Sequence, residues 1–289
     1  MTTQAQLLYI SGDRSGVGKT SVCLGLLGYL LQHGYKPDEL AYIKPCTQCE
    51  DVTLVTKFCA AQGIAHQGLG PIIFYAGFTS EAIKGPPEDN EKRRQAVKSA
   101  VDVLAKGKRF VVVDGVGYPA VGSVAGVSNA QVAAVLNAPV MIVGRPGVGD
   151  AVDSLNMAIA YFEKFGARVA GALFNNISPV TCYHSAEDCR DMVSLYMHKY
   201  LPSVAIAGFI PRHDALWAAH EEEQKAKAAN GASCVRRVKQ PAVITPDALA
   251  LSDSERALCS SVIDWFDKHA AFTTLLERLK TDPAADVKQ

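Results

Sequence analysis

The chain has 289 residues, 48% of them apolar and 20% charged, which is enough material for a full buried core and the composition of an ordinary soluble globular protein. Basic and acidic residues both number 29, so the formal charge is zero; this argues against a general polyanion binder and hence against nucleic acid as a partner. The most apolar stretch, residues 132–143, is too short to span a bilayer and carries Asn137 and Pro139, so no membrane association is expected.

Short apolar runs alternate with helical patterns along the chain. Strands are expected at residues 7–11, 40–44, 109–114, 139–144, 169–175 and 203–210. Several are apolar at every position, as strands buried on both faces are. Helices are expected at residues 19–33, 51–62, 90–106, 129–136, 150–165 and 186–200. In the fifth, Val152, Leu155, Ile159 and Phe162 recur at helical spacing, with Asp150 or Asp153 as a candidate cap and Gly166 as the stop. The alternation predicts an α/β fold: a doubly wound, mostly parallel sheet with helices on both faces. Past Pro211 the pattern changes to a polar helix at 217–229, a Gly/Pro-containing connection at 230–246, and one or two amphipathic helices at 253–280. The expected organisation is a nucleotide-binding domain at 1–213 and a helical C-terminal extension at 214–289. Because the first strand starts close to Met1, no removable leader is expected, and a cytoplasmic location is expected.

The first strand runs into Gly12-Asp13-Arg14-Ser15-Gly16-Val17-Gly18-Lys19-Thr20-Ser21. A strand, a Gly-rich turn and a helix opening on Gly-Lys-Thr is the layout of a phosphate-binding loop, with backbone N–H groups and the helix N-terminus turned to the anion. Lys19 is expected to reach the β- and γ-phosphates and the Thr20 hydroxyl to hold Mg²⁺. The leading glycine is displaced: the usual spacing puts it at residue 13, which is Asp, and it stands instead at Gly12. Arg14 is either a stabiliser of phosphate charge, acting across a dimer, or a surface arginine.

A second Mg²⁺ ligand is expected from a carboxylate at another strand end. Asp114, after four apolar residues and before Gly115, has that form; a turn-capping Asp is the alternative. Asp51 is a further candidate metal ligand or a simple helix cap. Lys44, closing the second strand, points to the crevice where open α/β sheets bind ligands, to hold an anionic substrate group or the γ-phosphate. No guanine-reading N-K-x-D motif occurs. Asn175, at the end of a later strand, is either an adenine reader or a turn Asn.

Eight cysteines are scattered along the chain, and reduced thiols are expected. Cys46 and Cys49 make a C-x-x-C. A zinc site with them would need about four ligands, of which the irregularly spaced cluster Cys182, His184 and Cys189 could supply two or three.

The residues from Gly12 to Thr20, Tyr42-Ile43-Lys44-Pro45, Gly77-Phe78-Thr79, Val113-Asp114-Gly115, Asn129-Ala130-Gln131, Ala138-Pro139-Val140, Asn175-Asn176 and Gly208-Phe209-Ile210-Pro211 occur in that order. As a set they resemble the dethiobiotin-synthetase-like P-loop proteins, and within them the ATP-binding N-terminal domain of some long bacterial phosphate acetyltransferases. The loop is also similar to the ParA/MinD type, with Arg14 at the signature lysine position. The resemblance implies ATP and Mg²⁺ as cofactors and frequent homodimers. It further implies a ligase in which ATP activates a carbamate built on a small amine, or a related carboxylate. Lys19, Thr20, Lys44, Asp51 and Asp114 fall at its phosphate, substrate and metal positions. Two departures stand out. Cys46-Thr47-Gln48-Cys49 replaces a run of small residues, and Asp114 replaces a Glu, drawing the carboxylate back by about 1.5 Å. These departures and the C-terminal helices keep two other readings open: a nucleotide-binding regulatory subunit that docks a protein partner through those helices, and a ParA-like switch.

Overall fold

A computed structural model describes residues 4–48, 52–178, 185–229 and 244–281. The strands are β1 (Gln6–Gly12), β2 (Leu40–Ile43), β3 (Cys46–Thr47), β4 (Ala65–Gln67), β5 (Ile72–Ile73), β6 (Phe110–Asp114), β7 (Val140–Gly144), β8 (Val169–Ile177) and β9 (Ala205–Pro211). The helices are α1 (Lys19–Gln32), α2 (Leu54–Gln62), α3 (Phe78–Lys84), α4 (Glu88–Ala105), α5 (Asn129–Val135), α6 (Gly149–Glu163), α7 (Ala186–Tyr200), α8 (Asp214–Ala229), α9 (Asp253–His269) and α10 (Phe272–Thr281). A seven-stranded sheet runs β4-β2-β6-β1-β7-β8-β9, and all its pairings are parallel. This is the doubly wound α/β fold that the alternation of patterns predicts.

Period-two alternation divides each central strand between two hydrophobic layers. Leu8 and Ile10 of β1, Phe110 and Val112 of β6, and Met141 and Val143 of β7 face one layer, which α1, α2, α9 and α10 cover. Tyr9, Val111, Val113, Val140 and Ile142 face the other, which α4, α5, α6 and α7 cover. Burial on both faces is why these strands read as continuous apolar runs.

The last two helices belong to the first of these layers. α9 lies on α1, with Cys259, Val262, Ile263 and Phe266 buried, and α10 adds Phe272, Leu275 and Leu279. Two glycines of α1 permit the approach. A Cβ on Gly25 would stand 2.4 Å from Cγ of Phe266, and one on Gly28 would stand 2.3 Å from Cγ1 of Ile263. Between α9 and α10 the chain runs beside the outer edge of β9, where Ala271 N–H donates to Ala207 O at 2.8 Å. That contact shields an edge strand that would otherwise present open backbone groups.

Several local expectations change. The run at 253–280 is two helices, divided at the contact with β9. α6 starts at Gly149 after Val148, and no side chain caps it; Asp150 sits in its first turn, where a negative charge suits the helix dipole. α2 starts at Leu54, and Asp51 lies outside the described residues. Three short strands and α3 were not expected. β4 is Ala-His-Gln, without apolar alternation; β3 and β5 have two residues each; α3 spans seven residues, too few for a period to register.

Candidate phosphate and metal site

The turn from β1 to α1 is built on three glycines with different duties. Gly16 and Gly18 take left-handed backbone angles, φ 76° and 86°, which side chains other than glycine's adopt at a cost. Gly12 has no such angle; its constraint is space. A Cβ there would stand 2.6 Å from Arg14 O and 2.9 Å from Gly117 O. The displaced glycine is therefore where the loop folds back most tightly, and residue 13 is free of that constraint.

Asp13 turns away from the loop toward the end of β7. Its Oδ2 accepts from Arg145 Nε at 2.8 Å and from Arg145 N at 3.2 Å, while its Oδ1 is buried with no hydrogen-bond partner among the described residues. On the far side of the loop, Asn175 Nδ2 donates to Val17 O at 2.9 Å. Asn175 also closes over Gly18, whose Cβ, if present, would lie 2.4 Å from that nitrogen. Arg14, Ser15 and Gly16 are exposed at the tip, Val17 is buried, and Thr20 and Ser21 are half-buried.

α1 begins at Lys19, so its first-turn amides open onto the loop, an arrangement that attracts anions. Lys19 is only 8% exposed. Burial pulls its ammonium below the usual lysine range; Asp114 opposes that pull and Lys44 reinforces it.

Asp114 is the electrostatic centre. It ends β6 beside Ile10 of β1, fully buried. Its Oδ2 accepts from Thr20 Oγ1 at 3.2 Å, from Tyr42 OH at 2.9 Å and from Lys44 Nζ at 3.0 Å. Burial, then the Asp114 charge, push the Tyr42 phenol well above its usual range, so this hydroxyl is a donor. Oδ1 is buried and has no hydrogen-bond partner among the described residues. A hard divalent cation prefers oxygen ligands of this kind, a carboxylate with a neighbouring hydroxyl, and Mg²⁺ commonly takes one or two carboxylates plus phosphate and water. The donor set fits Mg²⁺.

The backbone after Asp114 is pinned by Asn129, the first residue of α5. Its Nδ2 donates to Val116 O at 2.8 Å and Tyr118 O at 2.7 Å. Its Oδ1 accepts from Val116 N at 3.1 Å and from Tyr9 OH at 2.8 Å. In the sequence Asn129 is visible as a helix start and Tyr42 only as a neighbour of Lys44 in the family-like set, with no sign of their contacts; Arg145 gives no local signal, because its role arises from a neighbour in space.

The thiols are of a different character. Burial pushes Cys46 up to about 12 against the pull of Lys44, and burial raises Cys23 and Cys59 as well. These are buried neutral thiols rather than nucleophiles. Cys49, Cys182 and His184 lie outside the described residues, and no group of three or more His, Cys, Asp or Glu side chains suited to a metal occurs among those described. No helix among them is long and apolar enough to cross a membrane.

A parallel sheet, a strand–glycine-turn–helix with a buried lysine, and a strand-end carboxylate facing the loop threonine define a P-loop protein of the doubly wound α/β class. A family model described as an AAA domain (AAA_26) matches residues 6–219, and the chain belongs to that family. It groups with the dethiobiotin-synthetase-like P-loop proteins. The ATP-dependent dethiobiotin synthetase BioD of Anaeromyxobacter dehalogenans is 28% identical over 182 residues, which cover 60% of this chain and 77% of that protein. Cobyrinate a,c-diamide synthase of Methanosarcina barkeri is 25% identical over 214 residues, covering 72% of this chain and 37% of the synthase. Among solved structures, apo McdA from Cyanothece is 14% identical with a TM-score of 0.49, covering 95% of this chain and 99% of that one.

Proposed function

We propose that this protein binds Mg-ATP at the Gly12–Thr20 loop and uses it to activate a small amine-derived carbamate or a related carboxylate, in the manner of a dethiobiotin-synthetase-type ligase. The observation that carries the reading is the Asp114 cluster: one buried carboxylate in contact with the loop threonine and with a lysine at the next strand end. In this reading the loop amides and Lys19 hold the β- and γ-phosphates. Asp114 and Thr20 hold the Mg²⁺, with Asp51 as a further candidate ligand. The metal neutralises charge on the phosphate oxygens when bound. Lys44 holds the substrate anion against the γ-phosphate so that its oxygen attacks phosphorus and ADP leaves. Asn175 keeps one amide hydrogen on Val17 and offers the remaining donor and its carbonyl to adenine. In this reading Arg14, which is exposed at the loop tip, meets phosphate charge across a homodimer.

A second reading is a nucleotide-dependent regulatory subunit, in which ATP binding alters docking of another protein and nothing is turned over. It is favoured by the packing of α9 directly on α1, the helix that begins at Lys19. Steady-state ATP hydrolysis, measured with and without bicarbonate and a diamine such as diaminopelargonate, separates the two. Turnover stimulated by the added substrates supports the ligase. Mg-ATP binding without turnover under any condition supports regulation, and no binding at all overturns both.

A further inference from the structure

We infer that Tyr42 is a positioning residue for the metal carboxylate: its buried hydroxyl holds Asp114 through Oδ2 and so keeps Oδ1 available to Mg²⁺. The inference rests on the Mg-ATP reading of this site.

Tyr42 lies inside β2, in register with Val112 of β6, and is fully buried. A strand interior at this place calls only for an apolar side chain. A phenol there brings a hydroxyl that must be satisfied, and it is satisfied by the site carboxylate at 2.9 Å. The other two donors on Oδ2 belong to groups with separate duties. Thr20 stands in the first turn of α1 and Lys44 is beyond the end of β2, 15% exposed at its side chain. Both face the ligand crevice, and each is expected to turn toward phosphate, metal or substrate when the site fills. Tyr42 is the donor that remains when they do, because it is held inside β2 with its side chain fully buried. A short carboxylate has few ways to reach a ligand. A fixed hydrogen bond on one oxygen restricts its rotation and leaves the second oxygen, Oδ1, without a protein partner among the described residues. Outer-shell bonds of this kind orient metal ligands, and their loss commonly lowers metal affinity 10–100-fold.

The test uses the full chain and reads the thermal shift produced by a fixed concentration of ATP as Mg²⁺ is titrated. Tyr42→Phe keeps the ring and its packing and removes the hydroxyl. The expected result is an increase of about 10-fold in the Mg²⁺ concentration at half-saturation. Tyr29→Phe is the comparison, since it removes a buried hydroxyl that bonds Thr273, away from Asp114. It is expected to lower the melting temperature and leave the Mg²⁺ midpoint in place. An unchanged midpoint in Tyr42→Phe, or an equal change in Tyr29→Phe, overturns the positioning role and leaves the Mg-ATP reading standing. Absence of any Mg²⁺-dependent shift in the wild-type chain overturns both.

Discussion

Arg145 closes over Asp13 with two donors, its side-chain Nε and its backbone N, and holds that carboxylate at 1% side-chain exposure beside the phosphate loop. A buried acid beside this loop is tolerable only if its charge is matched. Breaking a buried pair by removing one partner typically costs about 3–5 kcal/mol, because the remaining charge is stranded. Arg145→Met is expected to destabilise the protein by an amount near the lower end of that range, since Arg145 keeps 25% side-chain exposure. Asp13→Asn in the same background is expected to recover part of the loss. Urea denaturation of the two single variants and the double variant gives the coupling. Additive effects would mean that the pair is not a unit.

The α1–α9 contact makes a second prediction with an internal contradiction to resolve. Alanine is a better helix former than glycine by about 1 kcal/mol, so propensity alone favours Gly25→Ala. The new Cβ, however, would lie 2.4–2.6 Å from Cβ, Cγ and Cδ2 of Phe266, the stem of a ring that cannot move without unseating the layer. Overpacking of a tight contact costs about 1–3 kcal/mol, and it is expected to win. Gly149→Ala, at a position of α6 with no neighbour within 4 Å of the added atom, is the matched control and is expected to be neutral or stabilising. Comparison of their melting temperatures checks the claim.

These cases also show what could be read along the chain. The central strands were legible because burial on both faces leaves a run such as Phe110–Asp114, apolar and then acidic. Lys19, Thr20, Lys44 and Asp114 were legible as candidates because each stands at a strand end or a helix start, where open sheets place ligands. Their convergence on one oxygen was not legible, since Thr20, Tyr42, Lys44 and Asp114 meet only through sheet order β2-β6-β1. The amphipathic face of α9 and α10 was visible as a pattern. That α1 receives it depends on Gly25 and Gly28, which in the sequence look only like weak helix residues.

Glu255, in the first turn of α9, accepts from Lys57 of α2 at 2.6 Å, a clasp between the C-terminal helices and the main layer. Desolvation pushes its carboxyl up, but the Lys57 and Ser252 hydrogen bonds outweigh this and leave it below the usual range. A carboxyl with a lowered folded value stabilises the fold at pH values above its unfolded value, about 4.3, and that contribution disappears as pH falls through the folded value. Both side chains are partly exposed, so about 0.5 kcal/mol is expected. Lys57→Met should remove that amount at pH 7 and make little difference at pH 3. An equal effect at both pH values would assign the loss to packing.

Lys19 carries the last prediction, in which function and stability oppose each other. Its ammonium is 8% exposed, and burial lowers its pKa. A base whose folded value lies below its unfolded value costs stability in full at low pH. The cost declines as pH rises from the folded value toward about 10.4, because the folded state releases the proton first. At pH 7 the nucleotide-free protein therefore bears a penalty that a methionine of similar length would not. Lys19→Met is expected to raise the melting temperature of the nucleotide-free protein by about 2–4 °C, the equivalent of about 1 kcal/mol in a chain of this size class, and to abolish the shift caused by Mg-ATP. A thermal scan at pH 7 and near pH 10 with and without Mg-ATP reads both effects, and the gain of the variant over wild type should shrink at the higher pH. A variant that melts lower at both pH values would show that the lysine is paired well enough in the folded state to offset its burial.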